Sequence, residues 1–107
     1  MFGKAIGEIL NLNFSWDPEK AKSNIFKHKV AFDTASSIFK DPNAISVFDE
    51  SHSESEERWI TIGLSTLGSL VVLVHSYDII DENNINIRVI SARKATKNEK
   101  HKYMELQ

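Results

Sequence analysis

The stretch Ile87–Tyr103, IRVISARKATKNEKHKY, joins a strand to a helix, and the rest of the chain is read outward from it. Ile87, Val89 and Ser91 alternate with Arg88, Ile90 and Ala92, the period of two that puts successive side chains on opposite faces of a sheet. The period then changes. Thr96 stands three residues ahead of Glu99, the spacing of a capping box, in which the Thr hydroxyl and the Glu carboxylate each accept a backbone N–H of the first turn. That predicts a helix starting at Lys97. Arg88, Arg93 and Lys94 close the last strand, where a rigid sheet can aim a guanidinium, so this junction is the first candidate for an anion-binding surface.

Upstream, Leu70–Ile79 is apolar on nearly every residue and reads as a central strand covered on both faces. His75 and Tyr77 continue one parity of it. Thr66–Ser69, with Gly68 where a positive φ is often needed, ties it to a strand over Trp59–Ser65, and Asp81–Asn84 ties it to the last strand. Ala44–Phe48 is the remaining strand of this group. Glu56 and Arg58 share a face if the strand after the acidic loop, Asp49–Glu57, begins early. Towards the N-terminus, Asn13–Trp16 is a short strand. Asp17 and Pro18 start a helix running to His28, with an inward stripe of Ala21, Asn24, Ile25 and His28. Phe32, Ala35, Ser36 and Phe39 mark a second helix, ended by Asp41 and Pro42. Short loops force antiparallel neighbours, which gives an α+β chain: a strand, two helices, a four-stranded meander and a C-terminal helix.

At 107 residues this is one domain, 13–107, behind an N-terminal extension, 1–12, in which Phe2, Ile6, Ile9 and Leu10 share one side of a helical turn or two. Glu8 and the lack of a small-residue cleavage site argue against a signal peptide. The absence of cysteine removes disulfides, thiol catalysis and Cys–zinc sites, and is compatible with a cytoplasmic protein. A formal net charge of −2 argues mildly against a dedicated nucleic-acid binder. Distribution matters more: acids crowd 49–57 while Arg88, Arg93, Lys94, Lys97, Lys100 and Lys102 crowd the last segment, so a basic surface can exist on an acidic chain. No phosphate-cradling glycine loop is present, and His28, His52, His75 and His101 lack the spacing of a helical metal pair, so neither a cofactor nor a metal is expected.

The phrases FSWDPEKAKSNIFKHKVAFDTASSIFKDP, DESHSESEERWITIG, LVVLVHSYD and IRVISARKATKNEKHKY together resemble the BrnT family of type II toxin–antitoxin toxins, over about Asn13–Tyr103. The matching positions are Trp16, Asp17, Asn24, Lys27, His28, Glu56, Arg58, His75, Tyr77, Arg88, Ser91, Arg93, Glu99 and Tyr103. The resemblance implies a RelE-like fold, with an antiparallel sheet packed by two N-terminal helices and one C-terminal helix. It further implies a ribonuclease that arrests translation when free, and neutralisation by a DNA-binding BrnA-type antitoxin in a heterotetramer, so that DNA is met only through the partner and no membrane is involved. Relatives often carry arginine where this chain has Leu64, Ser69 and Asp78, and a serine cap where it has Ala31.

The chemistry expected of these residues is metal-independent RNA cleavage by the internal 2′-OH, which needs a base, an acid and cations for the charge on phosphorus. Arg58, Arg88 and Arg93 are assigned to phosphate, His28 and His75 to acid–base work, and Glu56 either to the base or to a salt bridge with Arg58. His28 could equally favour the helix C-terminus, and Arg93 could equally pair with Glu99 and hold the last helix. Arg88 and Arg93 have opposite parity, so either the strand ends or bulges near Ser91 or only one of them serves. The alternative function is a catalytically weak or inactive interaction module that acts only in complex with a DNA-binding antitoxin, motivated by the missing arginines.

Overall fold

Local sequence signals set the element boundaries in the computed structural model, which describes residues 11–52 and 56–107. The Asp17 carboxylate accepts the Glu19 N–H, Pro18 follows at the first helical position, and helix α1 runs Pro18–His28. Thr96 and Glu99 form the reciprocal capping box that starts α3, Lys97–Glu105. Ala31, which has no side-chain acceptor, stands uncapped before α2, Phe32–Ser36, and a 3-10 turn over Ser37–Lys40 completes the segment that one helix was expected to fill.

Among the described residues five strands, β1 (Asn11–Ser15), β2 (Ile45–Phe48), β3 (Trp59–Leu64), β4 (Leu70–Ile79) and β5 (Asn84–Lys94), form one sheet in the order β1-β5-β4-β3-β2. Successive strands from β2 to β5 are antiparallel, because their connections are too short for a crossover. Gly68 turns the β3–β4 hairpin at φ 85°, in the left-handed region. The expectation of a wholly antiparallel sheet is corrected at its edge, where β1 pairs with β5 in parallel. These two strands are separated by most of the chain, so no hairpin fixes their relative direction. Asn11 and Leu12 belong to the sheet and not to the extension; the rest of that extension, with its expected helical side, lies outside the described residues, as does Glu54 of the acidic loop.

The core lies between the helical segment and one face of the sheet. Val30, Phe32, Ala35 and Ile38 meet Val71, Leu73, Val89 and Ala92, flanked by Phe14, Trp16, Ala21 and Phe39. Val72, on the opposite face of β4, is also buried, in keeping with a central strand.

The stripe of α1 is narrower than expected. Ala21 and Asn24 turn inward, but Ile25 and His28 are exposed. The reason is that Asn24 meets an edge: β1 pairs only with the Asn84–Arg88 part of β5, and beyond it Asn24 replaces a strand. Its amide nitrogen donates to Ala92 O at 2.8 Å and Val30 O at 2.9 Å, while its oxygen accepts the Ala92 N–H at 3.1 Å. A buried amide needs such partners, and here they fasten α1 to β5.

Candidate active site

The β4–β5 ladder decides which side chains of the last strand share a face. Its register passes from Val74↔Ser91 to His75↔Val89, so Ile90 is an extra residue on β5. A bulge of this kind reverses the alternation. Arg88, Ser91 and Arg93, partnered by Ser76, Val74 and Val72, therefore all belong to the face of the sheet opposite the main core. The parity conflict between the arginines is removed by the bulge.

Sharing a face does not give the two arginines the same work. Arg93 donates to both carboxylate oxygens of Glu99 at 2.7 and 2.8 Å, a fork-to-fork pair. Glu99 also accepts the Thr96 N–H at 2.8 Å. Chiefly through Arg93, against some burial, the Glu99 carboxyl is pushed down to about 2. Arg93 thus holds α3 against the sheet. Tyr103 secures the far end of that helix: its hydroxyl donates to Asp41 at 2.5 Å, which pushes the phenol up to about 12.

Arg88 instead hydrogen-bonds Glu56 Oε1, and Arg58 Nε stands 4.0 Å from the same oxygen. Glu56 and Arg58 precede β3 and are placed by the chain's return from the acidic loop, with the Asp49 N–H donating to Arg58 O at 2.9 Å. All three side chains are about one-third exposed. The Arg88 hydrogen bond first, then the charges of Arg88, Arg58 and Lys20, hold the Glu56 carboxyl below its ordinary range against the opposing effect of burial. The result is an ionised carboxylate between two guanidiniums at the solvent boundary.

His28 is exposed at the end of α1 and lines a shallow depression with Lys20, Ser23, Lys27, Ile90 and Ser91. This depression runs from α1 onto the bulge of β5. Lys20 is the residue that ties it electrostatically to Glu56. Lys20 and Ser76 were not singled out in the sequence. The spacing of Lys20, Ser23 and Lys27 at three and four residues was the signal available for the first; nothing local marks the second.

His75 is not brought to this group. It lies on the core face of β4, fully buried, between the rings of Phe39 (centroids 5.1 Å apart) and Tyr77 (4.8 Å). The Thr61 hydroxyl meets His75 Nε2 at 2.7 Å and Ser46 at 2.7 Å, and His75 Nδ1 reaches Ser76 O at 3.4 Å. Burial pushes the imidazole down to about 4. A ring with both nitrogens engaged inside the sheet, on the face opposite Arg88, is not brought to the group that its expected acid–base role required.

The sequence profile described as "Ribonuclease toxin, BrnT, of type II toxin-antitoxin system" matches residues 16–99, which include His28, Glu56, Arg58, His75, Arg88 and Arg93 but not Tyr103. The chain belongs to the BrnT family. Among solved structures it is similar to the Brucella abortus ribonuclease toxin, BrnT, with a TM-score of 0.56 and 19% identity over 81% of this chain and 100% of that one. At that identity the likeness is one of fold. No curated protein sequence matches.

Proposed function

We propose that this BrnT-family protein is a metal-independent endoribonuclease whose active site is the Arg58–Glu56–Arg88 cluster together with His28 of the depression between α1 and β5. The observation that carries the reading is the convergence of two guanidiniums, one from β5 and one from the segment before β3, on one ionised oxygen at the protein surface. Two fixed cations suit the charge that grows on phosphorus as the 2′-OH attacks, and they act at any pH. Glu56 and His28 are the groups able to move protons, one from the nucleophile and one to the leaving 5′-oxygen. DNA lacks the 2′-OH and is not cut. Arg93 serves by holding α3 and does not touch RNA.

The rest of the reading follows the family. The fold is RelE-like, free toxin arrests translation in the cytoplasm, and a BrnA-type antitoxin neutralises it in a heterotetramer by covering the basic face, since charge complementarity orients docking. A second reading has one observation in its favour. Asp78, on the same face two residues along β4 from Ser76, puts an acid where relatives often carry arginine, which weakens the local positive field and suits an interaction module without catalysis.

The test is cleavage of total RNA by the purified chain, free of partner and ribosomes, in EDTA. Cleavage is expected to persist, and Arg88→Ala to slow it by about a hundredfold, as for loss of one donor to a developing oxyanion. Intact RNA at high protein concentration, or an Arg58→Ala, Arg88→Ala double variant that cuts normally, would refute the proposal.

A further inference from the structure

Ser76 lies opposite Arg88 on the face of β4 that carries the arginines. It is 4% exposed, and its hydroxyl has no hydrogen-bond partner among the described residues. A buried hydroxyl in that state costs the fold stability, and native proteins keep few of them. Cations gather around Glu56 on that face, with Asp78 an acid two residues along β4: Arg88 and Arg58 both address Glu56 Oε1, and Lys20 adds its charge from α1. A carboxylate is planar and here leaves the hydroxyl unanswered. A phosphodiester also carries one negative charge on two oxygens, but it is tetrahedral and can offer the second oxygen out of that plane.

We infer that the Glu56 carboxylate occupies a phosphodiester subsite formed by Arg58, Arg88 and the Ser76 hydroxyl, and that RNA enters it by displacing Glu56. For the identity of the ligand this rests on the RNA-cleaving reading above, but it requires no cleavage step. The exchange conserves charge: one anion leaves the guanidiniums as another arrives, so the two cations are not left facing each other uncompensated. Glu56 then competes with substrate, and Ser76 is a binding residue that donates its proton to a non-bridging oxygen.

The experiment is fluorescence anisotropy with a 2′-O-methyl hexaribonucleotide, which cannot be cut because its nucleophile is blocked, on the full chain free of partner. Glu56→Gln keeps the shape but removes the competing charge, and should tighten binding by about fivefold, the equivalent of a partly exposed ion pair. Ser76→Ala should weaken it by about fivefold for one lost hydrogen bond, and Arg88→Ala by more. Ser76→Ala should also melt no lower than the parent chain, because the hydroxyl it removes has no partner to lose.

Binding by Glu56→Gln no tighter than by the parent, or by Ser76→Ala unchanged, would overturn the subsite. If the parent leaves ordinary RNA intact while Glu56→Gln still tightens the hexamer, the cleaving reading fails and the subsite stands. If the parent cuts RNA and Glu56→Gln abolishes cutting without changing affinity, the cleaving reading stands, Glu56 is its base, and the subsite fails.

Discussion

Lowering the pH from 7 to 5 should destabilise the protein through one residue, His75. Its folded value of about 4 lies below the ordinary 6.5 that it regains on unfolding. As pH falls through 6.5 the unfolded chain takes up a proton that the folded chain refuses, so the unfolded state gains. Stability is complete above that value and declines until the folded ring itself titrates. Linkage over this interval gives a loss of about 2 kcal/mol between pH 7 and pH 5. Carboxylates contribute little there, because their unfolded values lie near 4. The assay is urea unfolding at the two pH values, compared with a His75→Gln chain, which has no imidazole to charge and should lose the slope. A parent protein equally stable at both values, or a His75→Gln chain with the same slope, would refute the reasoning. It would also reopen an acid–base role for this histidine, since a ring that charges freely near neutrality is not sealed between Phe39 and Tyr77.

Two further predictions concern the supports of the site. Asn24→Ala removes three buried hydrogen bonds between α1, Val30 and β5, and should cost about 3 kcal/mol in urea unfolding at pH 7. Asn24→Asp should not rescue it, because a carboxylate cannot donate to the Ala92 and Val30 carbonyls. Gly63→Ala would put a Cβ 3.0 Å from Ile38 Cβ, 3.1 Å from Ile38 O and 3.2 Å from Ala44 Cβ. That overpacking, between β3 and the 3-10 turn, should cost about 1–3 kcal/mol, visible as a lower melting temperature.

Much of this architecture was legible locally. Asp17–Pro18 and Thr96–Glu99 mark helix starts because a cap is satisfied within one turn of chain, and Gly68 marks a hairpin because its backbone conformation is its own. The Arg93–Glu99 alternative was legible for the same reason, since six residues of sequence separate the partners. The parallel edge was not, because nothing in β1 or β5 alone records the direction in which distant segments meet. Nor was the reach of the α1 stripe: Ile25 follows helical spacing but faces water, because Asn24 rather than an apolar contact fixes the helix to the sheet.

For the candidate site the division falls between identity and placement. The sequence by itself determined the family and the inventory of chemical groups: the arginines, Glu56, His28 and His75 all stand in recognisable phrases, and the pairing of residue type with spacing survives without coordinates. Only the tertiary structure decided which of them meet. The extra residue Ile90 reverses the alternation of β5 and brings Arg88 and Arg93 onto one face, the pairing of β4 with β3 seals His75 on the other, and Ser76 becomes a covered, unpartnered hydroxyl opposite Arg88. A strand's sequence fixes the alternation of its side chains. The register with its neighbours, which depends on where every other strand lies, fixes what each side chain faces.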